Sequence, residues 1–234
     1  MSVNPLYAVV PAAGIGKRMG SEIPKQYLTI NDFPIIHYSL APLLKHPQVE
    51  QVIVVLSEHD QWFETLAVAK HDKIRIVVGG EERADSVLNG LDALPQNGRV
   101  LVHDAARPCL CTDDLNKLLA AQQPDCGAIL ASEVRDTMKR AKDDNTIEHT
   151  VERAKLFHAL TPQLFDLALL RTTLRLALAE KQSITDEASA MEWAQHQVKL
   201  VVGRSDNIKV TRPEDLQLAK LFLEQQQRIP GDSL

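Results

Sequence analysis

The sequence predicts an α/β protein with a Rossmann-like, doubly wound and mostly parallel sheet. Through the first half of the chain, short apolar runs alternate with segments whose apolar residues have helical spacing. The run at 52–56 is continuously apolar, which is typical of a strand buried on both faces. Because strands and helices alternate in this way, we expect helices on both faces of a parallel sheet. A length of 234 residues fits one such domain, covering 1–234.

The predicted elements of the first half follow one another closely. A β-rich run ends at Pro11, and the later segments are a helix at 34–44, a strand at 52–56, a helix at 61–69, a strand at 74–78, a helix at 84–94 and a strand at 100–102. Thr112 and the two acidic residues after it are typical of a helix N-cap and first turn. Ligands of doubly wound sheets bind beyond the carboxyl ends of the strands, so the loops after Val10, Val78 and Val102 should share one cleft.

Residues 133–153 break this alternation. Two extended-looking segments, 134–140 and 146–151, flank a turn at 143–145. The hairpin, 134–154, is heavily charged and holds few apolar residues, and an isolated hairpin is marginally stable in water. We therefore interpret it as a protruding dimerisation arm that crosses to a twofold-related copy. A hairpin that packs on its own domain is the alternative.

The rest of the chain returns to the core. After residues 157–163 re-enter it, the predicted elements are a helix at 164–178, a helix capped by 185–187 that runs through Trp193, a strand at 198–202 and a last helix. Thr211 and Glu214 fit a capping box for that last helix, with Pro213 in its first turn. Lys209 then lies just outside the helix, where a ligand can reach it. The tail from Gln225 onward is polar and is expected to fray.

The loop after the first strand combines small residues with cations, an arrangement that suits phosphate. It is not a Walker loop, because Arg18 stands where Ser or Thr is needed. It is not a dinucleotide fingerprint either, because Met19 replaces the third glycine. A tight strand-to-helix turn explains the glycines alone, but the Pro-Lys-Gln motif at 24–26 favours an anion site. The residues of this cradle are Ala12, Ala13, Gly14, Gly16, Lys17, Arg18 and Lys25.

Two further loops carry polar residues. In the loop at 79–86, glycines permit close backbone approach, and polar side chains can contact a flat base. The start of a helix, with Asp85 and Ser86 in its first turn, is the alternative. Asp104 follows a strand, where a carboxylate suits a ribose hydroxyl or a metal-bound water. His103 by itself is more typical of a structural histidine.

Composition argues against several classes of protein. The net charge of −5 disfavours a nucleic-acid-binding protein, so local cations must hold any anionic ligand. No apolar run approaches the roughly 20 residues of a membrane span, and no signal peptide is expected. Three cysteines cannot form a disulfide framework, which favours the reducing cytoplasm. Cys109 and Cys111 alone are too small a set for zinc.

Eight stretches of the sequence match one family in its own order, from about residue 7 to about residue 221. They are 11–19, 24–26, 80–86, 102–108, 135–137, 161–163, 185–188 and 207–211. Together they resemble the motifs of the 2-C-methyl-D-erythritol 4-phosphate cytidylyltransferases. The first stretch is shared by the wider sugar-nucleotidyltransferase superfamily. The arm, the Thr-Asp-Glu-Ala stretch and the Asn-Ile-Lys stretch narrow the resemblance to this family.

The resemblance implies a single nucleotidyltransferase domain that converts CTP and methylerythritol phosphate to the CDP-alcohol and pyrophosphate. It also implies a homodimer through the arm and Mg²⁺ near Asp104, in contact with it directly or through water. The catalytic candidates are Arg18, Lys25, Arg153 and Lys209, with Lys17 beside the triphosphate. The cytidine would be held by Ala12, Ala13, Gly80, Glu81 and Ser86, with Arg83 supporting their loop. The polyol phosphate would contact Arg107, Thr161, Thr185, Asp186 and Lys209, and also Thr137 and Arg153 of the partner subunit.

Three alternatives remain open at the level of sequence. A cytidylyltransferase for ribitol phosphate shares most of the motifs and would differ in the arm and around Lys209. An oxidoreductase is disfavoured by Met19 at the third glycine position. A non-catalytic nucleotide-binding regulator would keep the fold, but Arg18 and Lys25 argue for turnover.

Overall fold

The computed structural model describes residues 4–14, 23–123 and 126–229. Its strands are β1 (Leu6–Pro11), β2 (Thr29–Ile30), β3 (Phe33–Pro34), β4 (Val49–Leu56), β5 (Ile74–Val78), β6 (Arg99–Val102), β7 (Gly127–Glu133), β8 (Met138–Ala141), β9 (Ile147–Val151), β10 (Phe157–Asp166) and β11 (Val198–Val202). Its α-helices are α1 (Ile35–Lys45), α2 (Arg83–Asp92), α3 (Thr112–Ala121), α4 (Leu167–Ala179), α5 (Glu187–Trp193) and α6 (Pro213–Gln225). Short 3₁₀ helices lie at Lys25–Tyr27, Phe63–Thr65 and Ala67–Lys70.

A seven-stranded sheet forms the centre of the fold, in the order β11-β7-β10-β6-β1-β4-β5. The pairs β1–β4, β1–β6, β4–β5 and β7–β11 are parallel. Strand β10 alone in this sheet runs the other way, antiparallel to both β6 and β7. The predicted α/β class with a mostly parallel sheet is therefore confirmed.

The sheet is buried on both faces. Along β1, Ala8 and Val10 pack into one core with α1 and α3, whereas Tyr7 and Val9 pack into a second core with α2, α4 and α5. Helix α2 lies very close to the sheet, because a Cβ atom on Gly90 would come within 2.6 Å of Val9 Cγ1. This close packing fixes α2, and with it the loop that precedes α2 at the edge of the cleft. Helices on both faces confirm the doubly wound arrangement.

Two predicted elements were wrong in detail, and one strand was not predicted. The helix expected at 61–69 is two 3₁₀ helices, because Leu66 between them has an extended backbone. Residues 164–166 end strand β10 rather than start a helix, and Asp166 caps α4 by accepting from Leu169 N–H at 2.9 Å. Strand β7 was not predicted, since its run of small and apolar residues suits a helix equally well.

Two caps and the tail also differ from expectation. Thr112 is the first residue of α3, after Cys111 at the cap position. At α6 the residue at the cap position is Arg212, and Asp215 rather than Glu214 accepts from the Thr211 hydroxyl, at 2.9 Å. The tail does not fray directly after α6, because the Arg228 guanidinium donates to the carbonyls of three other residues. These acceptors are Pro108, Leu110 and Tyr38.

The predicted hairpin is present as a separate two-stranded antiparallel sheet of β8 and β9. All residues from 135 to 150 are exposed in the isolated chain, including Met138 and Ile147, which are 38 % and 63 % exposed. A hairpin packed on its own domain is thus not what the structure has. Its role in dimerisation stays a prediction.

Candidate active site

The loops after β1, β5 and β6 meet in one cleft at the carboxyl edge of the parallel strands, as predicted. Two adjoining cavities occupy it, of about 200 and about 230 Å³. Three residues line both: Arg83, Asp104 and Lys209. We call the first the nucleotide-side cavity, lined by Pro11, Ala12, Ala13, Gly14, Lys25, Gln26, Gly80, Glu81, Glu82, Ser86, Ala105 and Ala106 besides the shared residues. We call the second the arm-side cavity, lined by Arg107, Ala159, Leu160, Thr161, Gln163, Thr185 and Asp186 besides the shared residues.

The described part of the glycine loop forms one wall of the nucleotide-side cavity. Gln26, which is buried, donates from its amide nitrogen to the carbonyl of Ala12 at 2.7 Å and so fixes the end of β1. Lys25 lines the same cavity, and its ammonium group donates to the carbonyl of Val210 at 3.1 Å. The predicted contributors Gly16, Lys17 and Arg18 lie outside the described residues.

The opposite wall is the loop between β5 and α2. The Gly80 N–H donates to Ser86 Oγ at 3.1 Å, and Glu82 N–H donates to Asp85 Oδ2 at 3.0 Å, so the loop is folded back onto the first turn of α2. Only glycine fits at 79, because a Cβ atom there would lie 2.7 Å from both Ala13 Cβ and Ser86 Oγ. The two interpretations of this loop are therefore compatible: it starts a helix and it lines the cavity.

Asp104 lies between the two cavities and is contacted by three cations. Its Oδ1 accepts from Arg83 Nε at 3.2 Å, and its Oδ2 lies 2.9 Å from Lys209 Nζ and 3.4 Å from Arg107 Nε. Burial alone would raise the pKa of Asp104. The three positive charges outweigh burial and hold that pKa well below its usual range. The carboxylate is therefore charged at neutral pH and orders the cations around it.

A buried hydrogen-bond chain holds the Asp104 loop from behind. Asp104 N–H donates to Thr161 Oγ1 at 3.0 Å, which leaves the Thr161 hydroxyl to donate to His103 Nδ1 at 3.0 Å. His103 Nε2 then carries the proton and donates to the carbonyl of Arg107 at 3.2 Å. Burial lowers the pKa of His103 to about 4, so the ring is neutral. His103 is structural, in agreement with expectation.

Strand β10 and the N-cap of α5 both line the arm-side cavity and are hydrogen-bonded to each other. Gln163, on β10, donates to Asp186 Oδ2 at 2.8 Å and accepts from Ala188 N–H at 2.9 Å. Asp186 caps α5 by accepting from Ser189 N–H at 2.9 Å, as predicted for this motif. Arg107 is buried on the other side of the cavity, where it donates to the carbonyl of Asn207 at 2.8 Å.

A family model described as 2-C-methyl-D-erythritol 4-phosphate cytidylyltransferase (IspD) matches residues 6–225. The chain belongs to the 2-C-methyl-D-erythritol 4-phosphate cytidylyltransferase family. A relative of that name from Shewanella amazonensis is 57% identical over 231 residues, covering 97% of each chain. Another, from Pseudoalteromonas atlantica, is 56% identical over 226 residues, covering 96% of this chain and 98% of the relative. The crystal structure of the Francisella tularensis 2-C-methyl-D-erythritol 4-phosphate cytidylyltransferase superimposes with a TM-score of 0.79 at 33% identity, covering 94% of this chain and 100% of that one.

Membership in the 2-C-methyl-D-erythritol 4-phosphate cytidylyltransferase family decides among the alternatives. The protein is a cytidylyltransferase, which excludes the oxidoreductase and the non-catalytic regulator, and ribitol phosphate is not favoured as the acceptor. The structure brings most of the predicted site residues of this cytidylyltransferase together at the two cavities. Thr137 and Arg153 are the described exceptions, since they lie exposed on the arm and line neither cavity.

Sequence reasoning missed three residues that support the site of this cytidylyltransferase. They are Gln26, Gln163 and Glu187, which are all buried and hydrogen-bonded to site loops. The sequence did contain a sign of such residues, namely a polar residue within a mainly apolar or conformationally restricted stretch. Gln163 in β10 is an example. A pattern of this kind predicts a buried hydrogen bond but does not name its partner.

Two negative findings concern the described residues alone. They contain no group of three or more His, Cys, Asp or Glu side chains placed to hold a metal ion. None of their helices combines the length and the apolar character needed to cross a membrane.

Proposed function

We propose that this chain transfers CMP from CTP to 2-C-methyl-D-erythritol 4-phosphate, which gives 4-diphosphocytidyl-2-C-methyl-D-erythritol and pyrophosphate in the non-mevalonate pathway to isoprenoid precursors. The observation that carries the proposal is a pair of adjoining cavities that share Arg83, Asp104 and Lys209, in a chain of this family. Two anionic substrates that react at one phosphorus atom need such neighbouring sites. The three free cysteines fit the reducing cytoplasm, where we place the enzyme.

The nucleotide-side cavity is the proposed CTP site. One wall consists of Ala12, Ala13 and Gly14, whose side chains are small or absent, so a nucleotide can approach the backbone there. Gly80 and Ser86 are held together by a hydrogen bond at the opposite wall, beside Glu81, and there we place the cytosine ring. The triphosphate would continue toward Lys25, with Gly16, Lys17 and Arg18 completing its site.

The reaction needs charge stabilisation more than proton transfer. The phosphate of the second substrate is already anionic, so it can attack the α-phosphorus of CTP without a general base, and pyrophosphate leaves. The difficulty is the mutual repulsion of the phosphates. Arg18 and Lys25 are proposed to stabilise the charge that develops in the transition state, since fixed cations in a site sheltered from water act most strongly there.

The arm-side cavity is the proposed site of the polyol phosphate. Asp104 and Asp186 offer carboxylate oxygens to the polyol hydroxyls, and Thr161 and Thr185 lie beside them. Arg107 and Lys209 supply positive charge for the phosphate group. Because Lys209 is 38 % exposed in its side chain, it can turn from Asp104 to an incoming anion without leaving a buried cavity behind.

Mg²⁺ is the proposed divalent cation. Asp104 is the acidic candidate to contact it, but both its oxygens already contact cations. The donor set therefore fits a metal carried mainly by the phosphate oxygens of CTP, with Asp104 touching it through water. Such a metal would neutralise phosphate charge, and no other step in the proposal depends on it.

We propose a homodimer in which the arm reaches the partner's cleft. The support is the exposure of residues 135–150 and the position of Arg153 at the base of the arm, where it donates to the carbonyl of Arg135. In the dimer, Thr137 and Arg153 would complete the polyol phosphate site of the other subunit. Sedimentation of the intact chain should then give the mass of a dimer.

The function is tested by measuring pyrophosphate release from CTP with a panel of polyol phosphates. Turnover should be greatest with 2-C-methyl-D-erythritol 4-phosphate and weak with ribitol 5-phosphate. Greater turnover with ribitol phosphate would refute the assigned acceptor. No release with any acceptor would refute the activity itself.

A further inference from the structure

Glu187 is the first residue of α5 and is 1 % exposed. Both of its carboxylate oxygens accept hydrogen bonds from Arg83, Oε1 from NH1 at 2.7 Å and Oε2 from NH2 at 3.2 Å. A contact at two points fixes the plane of a guanidinium group as well as its position. Glu187 therefore determines how Arg83 lies in the cleft.

The third nitrogen of Arg83 connects this ion pair to the site. Arg83 Nε donates to Asp104 Oδ1 at 3.2 Å, so one guanidinium holds a carboxylate on each side. Arg83 and Asp104 both line both cavities, whereas Glu187 lines neither. In the described part of the chain, the side chain of Glu187 is hydrogen-bonded to Arg83, which lines both cavities, so Arg83 is its direct connection to both proposed substrate sites.

The start of α5 is itself fixed to the sheet. Gln163 on β10 holds both Asp186 and the N–H of Ala188, the two neighbours of Glu187 in sequence. A rigid, buried and charged group at this place is suited to orienting a partner.

We propose that Glu187 is a positioning residue for the transfer reaction, which holds Arg83 so that Arg83 can fix Asp104 at the boundary of the two cavities. This role rests on the proposed function. Arg83 has two carboxylate partners among the described residues, Glu187 and Asp104. If Glu187 loses its charge, of these two only the charge of Asp104 still attracts Arg83. Arg83 would then draw Asp104 away from Lys209 and Arg107, and both substrates would meet displaced groups.

The test is the substitution Glu187→Gln, which keeps the size of the side chain but puts an NH₂ group against the guanidinium. We expect the KM values for CTP and for the polyol phosphate both to rise, by about fivefold or more. Loss of folded enzyme lowers the apparent kcat but leaves KM unchanged, so this readout separates positioning from stability. The matched control is Glu192→Gln, on the exposed side of the same helix, which should leave both KM values unchanged.

Smaller rises in KM in a folded Glu187→Gln protein would overturn the proposal. If that variant does not fold, the double variant Arg83→Gln/Glu187→Gln leaves no buried charge of this pair unmatched and is compared with Arg83→Gln alone. Under the proposal the two have the same kcat/KM within about twofold, because Glu187 acts through Arg83. A larger additional loss overturns it. A wild-type chain that does not turn over CTP and methylerythritol phosphate would refute the proposed function instead.

Discussion

The Nζ atom of Lys209 lies 2.9 Å from Oδ2 of Asp104, although the two residues are far apart in sequence. A backbone hydrogen bond of 2.8 Å from Val210 N–H to the carbonyl of Ala106 holds their loops together. The Lys209 side chain is 38 % exposed and that of Asp104 9 %, so the lysine is the partner that solvent and ligands can reach more easily. The contact keeps a cation close to the cleft before substrate arrives.

Asp104→Asn should lower kcat/KM for the polyol phosphate by roughly ten- to hundredfold, since a hydrogen bond to a charged group contributes about 1.5–3 kcal/mol. The amide has one acceptor oxygen and no charge, so it orders the surrounding cations poorly. Steady-state kinetics with saturating CTP would measure the effect. The control is Asp113→Asn, an exposed aspartate in the first turn of α3. An unchanged kcat/KM in the Asp104 variant would contradict the proposed role.

Lys25→Ala should lower kcat far more than it weakens CTP binding. Lys25 is proposed to meet charge that is greatest in the transition state, and loss of one such contact costs about 2.7–4 kcal/mol, or roughly a hundred- to thousandfold in rate. Single-turnover rates and equilibrium CTP binding would separate the two effects. Exposed Lys70, replaced by alanine, is the matched control. A variant with nearly normal kcat would remove Lys25 from the mechanism.

CTP should be preferred over UTP. The amino group of cytosine donates where the O4 atom of uracil accepts, so groups at Gly80, Glu81 and Ser86 that fit cytosine are mismatched with uracil. A buried mismatch costs about 1–3 kcal/mol, or roughly five- to hundredfold in kcat/KM. Competition between the two nucleotides gives the ratio directly. Equal turnover would show that this loop does not recognise the base.

A mixed dimer should separate the contributions of the two subunits. If Arg153 acts in the partner's cleft and Lys209 in its own, each alanine homodimer should be nearly inactive, mainly through a raised KM for the polyol phosphate. A dimer of one Arg153→Ala and one Lys209→Ala subunit has one cleft with both lesions and one with neither. About half of the wild-type activity per mixed dimer should return on subunit exchange. No recovery would mean that Arg153 does not act across the interface.

His103 should make the protein less stable in mild acid. Its folded pKa of about 4 lies below the ordinary value of 6.5, so the unfolded chain binds the proton more readily. The stability from the neutral ring is complete above pH 6.5 and is lost as the pH falls toward 4, by about 3 kcal/mol in all. Urea unfolding of wild type and His103→Asn at several pH values would measure it. The stability difference between the two proteins should shrink across this window, and parallel profiles would contradict the assignment.

The sheet and the location of the cleft could be predicted because their signals are local. Strands such as β4 contain a continuous apolar run, here at 52–56, and the rule for doubly wound sheets then places their loops at one edge. The supporting contacts could not be predicted in the same way. Arg83 and Glu187 are 104 positions apart, and neither lies in a local pattern that names the other. The arrangement of Lys17 and Arg18 stays a prediction, since both lie outside the described residues.

The single reversed strand of the sheet bears on how such an enzyme could acquire new substrates. Strand β7 ends, and the antiparallel strand β10 begins, at the same edge of the sheet as the cleft. Everything inserted between them, including the arm, therefore starts and finishes beside the arm-side cavity. If that cavity holds the acceptor, as proposed, exchange of the insertion would alter the choice of acceptor while the loops after β1 and β5 keep their sequence. The proposed acceptor and nucleotide sites would then diverge separately.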